Sequence, residues 1–546
     1  MKHVIDTTKI PHYVTRVTDT LEKAGFEAFI VGGCVRDLII EREPKDWDVT
    51  TNATPEQIIP LFERTVYENK FGTVGIVFED VTHETGSRLS AKAISTSHLS
   101  QNDVSRETVP KKPIFSKALA DETNSEVTRV TEPIKYVVEV TPYREEAQYS
   151  DNRHPDEVKF SKTIEEDLKR RDFTCNAMAY SISHETLIDL YKGQQDIKDK
   201  VLRTVGDADE RFNEDALRML RAVRFAVNLG FTISTETTEA ILKNSDLIKK
   251  ISTERIRDEF EKIILSPEPA VGVGMLQKFG LLKHFIPELE EGIGCEQLGE
   301  HIYDVYEHLL HALQQAATKK WSLEVRLAAL FHDVGKPRTR RYDATKAGGK
   351  GKYTFYGHEV VGARMAQKIM ERMKFPKKST DLVVKLVRQH MFFSDTETIT
   401  LSAVRRVVAK VGKENIWTLM NIRECDRVGM KKKEAPYRLR KYHAMIEEVL
   451  RDPISVGQLA IDGNILMTEL SIKPGPRMGW LLHALLEEVL DDPKKNSREY
   501  LDKRVGELEK LSDKELKALG EEAKKTKEEL EEKEVAELHM KHGVKK

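Results

Sequence analysis

The sequence predicts an α+β N-terminal domain followed by predominantly α-helical domains. Three observations lead there. The chain has 546 residues, which at roughly 150 residues per domain accommodates three or four packed units. Residues 1–78 alternate helical and strand-like hydrophobic patterns, and strand character resumes at 136–141. Helical periodicity then dominates from Ile164 onward.

Taken in order, residues 13–24 read as a helix ended by Gly25, and 26–31 as a short apolar strand. Gly32-Gly33 opens a second helix through Ile40, residues 46–50 read as a strand, and a helix follows from Pro55. From 80 to 133 the composition turns to Ser, Thr, Lys and Glu. This is expected to be a polar, flexible insertion, because it has too little apolar surface to offset its ordering entropy. The strongest helical pattern is 213–227, ahead of Gly230. A helical block spans 301–505, interrupted by a Gly/Lys-rich loop at 346–352, and 512–546 reads as a solvated charged helix or tail. No fixed-period repeat is visible. The expected divisions are 1–163, 164–297, 298–430, 431–505 and 506–546.

Composition narrows the function classes. There are 88 Lys+Arg against 90 Asp+Glu, a formal net charge of −2, so any nucleic-acid contact must rest on local basic patches. With 39% hydrophobic and 33% charged residues, collagenous and wholly disordered classes are excluded. No apolar run approaches the ~18–20 residues that span a bilayer, so no membrane partner is expected. Residues 1–11 lack the apolar core of a secretory signal. Cys34, Cys175, Cys295 and Cys425 lie far apart, the pattern of reduced thiols in a cytoplasmic protein.

The first third carries a phosphoryl-transfer pattern. In Phe29-Ile30-Val31-Gly32-Gly33-Cys34-Val35-Arg36-Asp37, adjacent glycines between strand and helix let the backbone approach a bulky anion. Arg36, one turn into the helix, suits phosphate oxygens. Asp46 and Asp48 are two apart on a strand and so share a face, an arrangement suited to two Mg²⁺ ions about 3.5–4 Å apart. Glu139, aligned with Val137 and Thr141, is the third carboxylate, expected as a charge on an otherwise buried strand. A glycine pair, an Asp-x-Asp and a strand Glu are each common. In this order they form the set that polymerase-type transfer requires.

With Asp167-Leu168-Lys169-Arg170-Arg171-Asp172-Phe173-Thr174 and Glu214-Asp215-Ala216-Leu217-Arg218-Met219-Leu220-Arg221-Ala222-Val223-Arg224-Phe225, these motifs resemble the class II tRNA nucleotidyltransferases (CCA-adding enzymes) and bacterial poly(A) polymerases. The resemblance implies a polymerase-β-like nucleotidyltransferase domain, then a helical neck. It implies that Asp46 and Asp48 bind the metals, and that Gly33, Arg36, Arg171, Asp215, Arg218, Arg221 and Arg224 contact the incoming nucleotide. The chain departs from the family pattern at the polar insertion, where relatives carry a short hairpin, and at Pro142-Tyr143 after Glu139.

Asp215 and Arg218, three apart on a helix, present an acceptor beside a donor. Cytosine and adenine offer the complementary amino donor and ring-nitrogen acceptor; uracil and guanine offer the reverse and would leave mispaired polar groups. Taken alone, the helix is an amphipathic one with a salt-bridging polar stripe. Behind the paired aspartates it reads as a protein template for C and A.

A second motif, Leu330-Phe331-His332-Asp333-Val334-Gly335-Lys336, is flanked by His308, by His358 and His390, and by Asp426. Imidazoles and carboxylates converging from several helices suit one or two divalent ions that activate water toward a phosphate ester. This series resembles the HD phosphohydrolases over about 303–429. The resemblance implies His308, His332, Asp333 and Asp426 as the basic ligand set, with His358 and His390 at a second position; His311 lies nearby without a match.

Arg405-Arg406, Lys431-Lys432-Lys433 and Arg438-Leu439-Arg440-Lys441 are local basic clusters suited either to an RNA backbone or to solvated helix faces. The expected activity is template-independent addition of C and A to the tRNA 3′ end from CTP and ATP, with Mg²⁺. The HD region would hold a divalent metal and carry phosphohydrolase activity. The alternatives are a poly(A) polymerase or A-only enzyme, or a metal phosphohydrolase or RNA-binding protein with an inactive transferase domain.

Overall fold

The computed structural model describes residues 5–68, 72–80, 134–144, 160–297, 302–344, 352–391, 400–428, 436–451, 455–517 and 519. The expected polar insertion (apart from Asp80), most of the Gly/Lys-rich loop, Lys431-Lys432-Lys433 and the distal tail lie outside these residues. The chain divides into two compact units. One comprises Met1–Glu145, Val158–Asp167 and Ala179–Ile188; the other comprises Glu146–Glu157, Leu168–Met178 and Asp189–Lys546.

The first unit is built on a sheet of β1 (Ala28–Val31), β2 (Trp47–Thr51), β3 (Thr65–Glu68), β4 (Thr73–Asp80), β5 (Ile134–Pro142), β6 (Met178–Ser181) and β7 (Thr186–Asp189). Their order is β3-β4-β5-β2-β1-β6-β7. β2 and β5 run parallel, while β1 is antiparallel to β2, and β4 to β5. Helix His12–Lys23 places Val14, Val17 and Leu21 at the three- and four-residue spacing of one face, all fully buried. Val74, Ile76, Val138 and Val140 bury the matching sheet face, and Val137 and Glu139 alternate outward. Glu139 therefore sits on an exposed face; the expectation of a charge on a buried strand is corrected. The sheet also extends past 163 through β6 and β7, so the transferase sheet and the helical region overlap in sequence.

The second unit is largely helical. Leu323–Phe331 is apolar apart from Glu324 and Arg326, and Val325 through Phe331 are buried, with the Arg326 guanidinium satisfied by the Ile264 and Ser266 carbonyls, which makes it the central helix of a bundle. Val305–Thr318, Lys377–Gln389 and Ile416–Asp426 pack against it. A separate C-terminal core gathers Leu466, Leu481, Leu485, Val489, Leu501 and Val505. Leu516 is also fully buried there, so the charged end begins as part of this core, not as a solvated tail. The helix expected over 213–227 is two helices, Ala208–Glu214 and Leu217–Leu229, because the Asp215 carboxylate accepts the Leu217 N–H at 3.0 Å and caps the second.

Candidate functional site

In the first unit the register brings two of the three predicted carboxylates together. Asp48 on β2 pairs directly with Glu139 on β5, and in a parallel pair such partners point to the same face. Asp48 is half-buried and Glu139 exposed; Asp46 lies exposed at the bend just before β2, two residues back on the chain. On the other side of Glu139 stands Gly75, so no side chain crowds the carboxylates from β4. Val49 pairs with Ile30, which carries the end of β1 and the glycine turn alongside Asp48. Cys34 fastens that turn: its thiol donates to the Val31 carbonyl at 3.3 Å and approaches the Asp48 carbonyl at 3.8 Å. Burial, reinforced by Asp48, pushes this thiol up to about 12, so it stays protonated and inert.

Gly32 holds φ +81°, a conformation that favours glycine, and Gly33 begins the helix Gly33–Ile39. Arg36 is buried, folds its guanidinium to within 3.7 Å of the space above Gly33, and pairs with Asp37 at 2.7 Å. Tyr143, at the departure from the family pattern, is fully buried and donates to Glu27 at 2.9 Å, anchoring the end of β5.

In the second unit, Asp215 and Arg218 flank the helix break and are held by different partners. The Asp215 carboxylate accepts from Arg255 at 2.7 Å, and Arg218 pairs with Glu214 while donating to the Arg170 carbonyl at 3.1 Å. Arg224 pairs with Glu259 at 2.9 Å. Arg221 donates through Nε to Asp172 at 2.8 Å; burial alone would raise the Asp172 carboxyl, but this guanidinium holds it below the usual carboxylate range. Arg171 lies half-buried between the Ile164–Lys169 helix and Asp172. The arginine set is thus preorganised by acidic partners along one helix and its neighbours.

The six predicted HD ligands converge. His308, His332, Asp333 and Asp426 form one group and Asp333, His358 and His390 another, all buried. Asp333 is the shared member: Oδ2 lies 3.5 Å from His308 and 3.4 Å from His332, and Oδ1 lies 3.2 Å from His358 and 3.5 Å from His390. Ligand bonds of ~2.1 Å meeting at about 90–110° put neighbouring donors ~3.0–3.4 Å apart, close to these separations, so the donor set fits two divalent ions. His332, His358 and His390 each direct Nδ1 at the carbonyl three residues earlier (Ala329, Phe355, Val387; 2.8, 2.7 and 2.6 Å). A carbonyl only accepts, so Nδ1 carries the proton and Nε2 faces the cluster. His308 and His332 set their Nε2 atoms 3.1 Å apart, a contact that calls for a proton or a cation between them. Burial lowers His332, but Asp333 and Asp426 outweigh it and raise the imidazole to about 10, while burial and the neighbouring His332 push His308 down to about 3. His311 stands apart, stacked on Tyr303 at 4.1 Å.

The Poly A polymerase head domain family matches residues 28–111 and 111–203, the probable RNA- and SrmB-binding site of polymerase A matches 230–293, and the HD domain matches 305–431. A CCA-adding enzyme of Lactobacillus delbrueckii subsp. bulgaricus is 31% identical over 88% of this chain and 94% of its own length. The chain belongs to the CCA-adding enzyme family. A CCA-adding enzyme of Lactobacillus helveticus is 36% identical over 48% of this chain; that match spans 53% of the relative's length. The solved Bacillus stearothermophilus CCA-adding enzyme in complex with CTP shares the fold, with a TM-score of 0.61 at 24% identity over 93% of this chain and 100% of that one. No described helix is long and apolar enough to cross a membrane.

Within this CCA-adding family member, three further residues shape the sites. Gly32, not only Gly33, carries the turn; Gly75 keeps the strand beside Glu139 bare; and Lys336 is buried between Asp333 Oδ2 at 2.5 Å and Gln297 Oε1 at 2.6 Å. Gly32 and Lys336 stood inside quoted motifs; Gly75 has no sequence signal, because its role depends on strand register. Of the basic pair Arg405-Arg406, Arg405 is buried against the Leu490 carbonyl, whereas Arg406 lies on the surface in an ion pair with Asp491.

Proposed function

We propose that this chain is a cytoplasmic, template-independent nucleotidyltransferase that adds C and A to the 3′ end of tRNA from CTP and ATP. The observation that carries the reading is the Asp48–Glu139 register beside the Gly32-Gly33 turn, with Asp46 two residues away. Asp46 and Asp48 are the Mg²⁺ ligands, and the bound ions would supply charge neutralisation at the attacking and leaving oxygens. Glu139 adds negative charge on the same face, and Arg36 with the glycine turn orients the triphosphate. Asp215, Arg218, Arg171, Arg221 and Arg224 serve nucleotide selection and binding; their acidic partners fix side chains that would otherwise lose rotamer entropy on binding. Purified protein given tRNA lacking its terminal CCA, with one labelled nucleotide at a time, should incorporate C and A and reject U and G. Incorporation of A alone, or processive A-tailing, would favour an A-only enzyme or a poly(A) polymerase.

A second activity is supported by the bridged HD cluster: hydrolysis of a nucleotide phosphoester by a divalent-metal centre. His308, His332, Asp333, Asp426, His358 and His390 would hold the metals, which lower the pKa of bound water when present. Lys336 and Gln297 steady the shared Asp333 carboxylate. Hydrolysis of a 2′,3′-cyclic nucleotide that is equal in the native protein and in His332→Ala would reject this site.

A further inference from the structure

Two short strands, Arg341–Asp343 and Lys352–Thr354, form an antiparallel hairpin in which Tyr342 and Tyr353 stand directly opposite each other. Their rings meet edge to face at 5.3 Å, and the Arg340 guanidinium lies over the Tyr353 ring at 3.7 Å. Residues opposite each other across a strand pair share a face, so an aromatic pair and a stacked planar cation gather on one small ribbon. An isolated two-stranded ribbon is stabilised by such a cross-strand pair. That stabilisation requires contact between the two rings, yet Tyr342 remains 60% exposed.

The ribbon is rooted in the HD cluster at both ends. The Lys336–Thr339 turn, whose Lys336 holds Asp333, leads directly into Arg340. At the other end Phe355 follows Thr354; its carbonyl accepts the Nδ1–H of His358 at 2.7 Å, and its ring centroid lies 5.9 Å from the Lys336 ammonium. The ribbon and the aromatic residues Phe355 and Tyr356 that follow it thus lie on the one connection between Lys336 and His358, which places the ribbon as the candidate surface for the nucleoside of a phosphoester seated at the cluster. Exposed tyrosines and stacked guanidinium planes are what unpaired bases stack upon, without dependence on base identity.

We propose that Arg340, Tyr342 and Tyr353 form a base-stacking platform for the nucleoside of the phosphoester hydrolysed at the HD cluster, which makes single nucleotides and unpaired RNA 3′ ends its substrate class. This rests on the hydrolytic reading of the cluster. The platform binds the base, while the cluster handles the phosphate.

The test compares 2′,3′-cyclic AMP with 1-O-methylribose 2,3-cyclic phosphate, the same cyclic phosphodiester without a base or any other aromatic ring, on the metal-loaded full-length chain. Tyr342→Ala and Arg340→Ala should raise KM for the cyclic nucleotide about tenfold, in keeping with the loss of one stacked base, and leave kcat unchanged. Tyr342→Phe should restore KM, and none of the variants should alter hydrolysis of the base-free ester. Equal effects on both esters, or no effect on either, would overturn the platform. Should the native protein hydrolyse neither ester, the hydrolytic reading falls, and photo-crosslinking decides the platform separately. An oligoribonucleotide ending in 5-iodouridine should form adducts at Tyr342 or Tyr353, and adducts found only elsewhere would refute it.

Discussion

Arg221 and Asp172 form an ion pair whose carboxylate is buried, and its charge state links pH to stability. The folded-state carboxyl is held below its ordinary value by the guanidinium, so its stabilisation is fully present above the unfolded pKa of ~3.9 and is lost as pH falls through the lower folded value. Asp172→Asn removes the nearest acidic partner of Arg221, whose side chain is one-third exposed and keeps Glu259 and Asp215 as more distant charges, at a cost of about 1–3 kcal/mol. The gap in melting temperature between variant and native protein should stay constant from pH 7 to 5 and shrink only below about pH 4; a gap that closes by pH 5.5 would contradict this. Asp333 is the other decisive residue. Because its two oxygens serve both ligand groups, Asp333→Asn should remove both ions together, and elemental analysis after dialysis should find the metal content collapsed, not halved. The carboxylates and histidines were legible in the sequence because metal chemistry admits few residue types. Gly75 and Gln297 were not, because their roles arise only from strand register and from contacts between distant segments.

Among the elements, helix boundaries were the least legible feature, for a local reason. Hydrophobic periodicity runs through 208–229 without interruption, whereas the Asp215 side chain competes for the Leu217 N–H and breaks the helix there. Asp215→Ala removes this cap, a loss of about 1 kcal/mol, and frees Arg255. Discrimination of CTP and ATP against UTP and GTP should weaken with it, read as incorporation ratios; unchanged ratios with a lowered melting temperature would confine Asp215 to structure. The HD helices make a sharper case. A Cβ on Gly335 would overlap the His358 carbonyl oxygen and come 2.6 Å from the Gly362 nitrogen, both backbone atoms that cannot swing aside. Gly335→Ala should therefore push apart the segments bearing Asp333 and His358 and weaken metal retention, measurable by chelator competition, while nucleotide addition persists. The convergence of six ligands was legible from their order along the chain. That four sit at helix ends, with three rings pinned to the carbonyl three residues earlier, was not.

At the scale of the whole chain, the proposed nucleotide addition and the proposed phosphoester hydrolysis would draw on separate sets of residues. The α+β-then-helical order was legible because hydrophobic period changes from about two to 3.6 along the sequence, but the return of β6 and β7 to the sheet was not, since β6 is buried along its whole length and β7 is only four residues long, so neither carries a readable period. Leu516 likewise carries little sequence signal, an apolar residue between the charged Glu515 and Lys517 that nonetheless is buried in the C-terminal core. The most direct measurement is nucleotide addition to tRNA lacking CCA by Asp46→Asn and Asp48→Asn, with cyclic-nucleotide hydrolysis followed in parallel. Loss of metal-borne stabilisation worth several kcal/mol should lower C and A addition by about a thousandfold in each variant, with hydrolysis unchanged. Addition at native rates in either variant would contradict the role given to the paired aspartates.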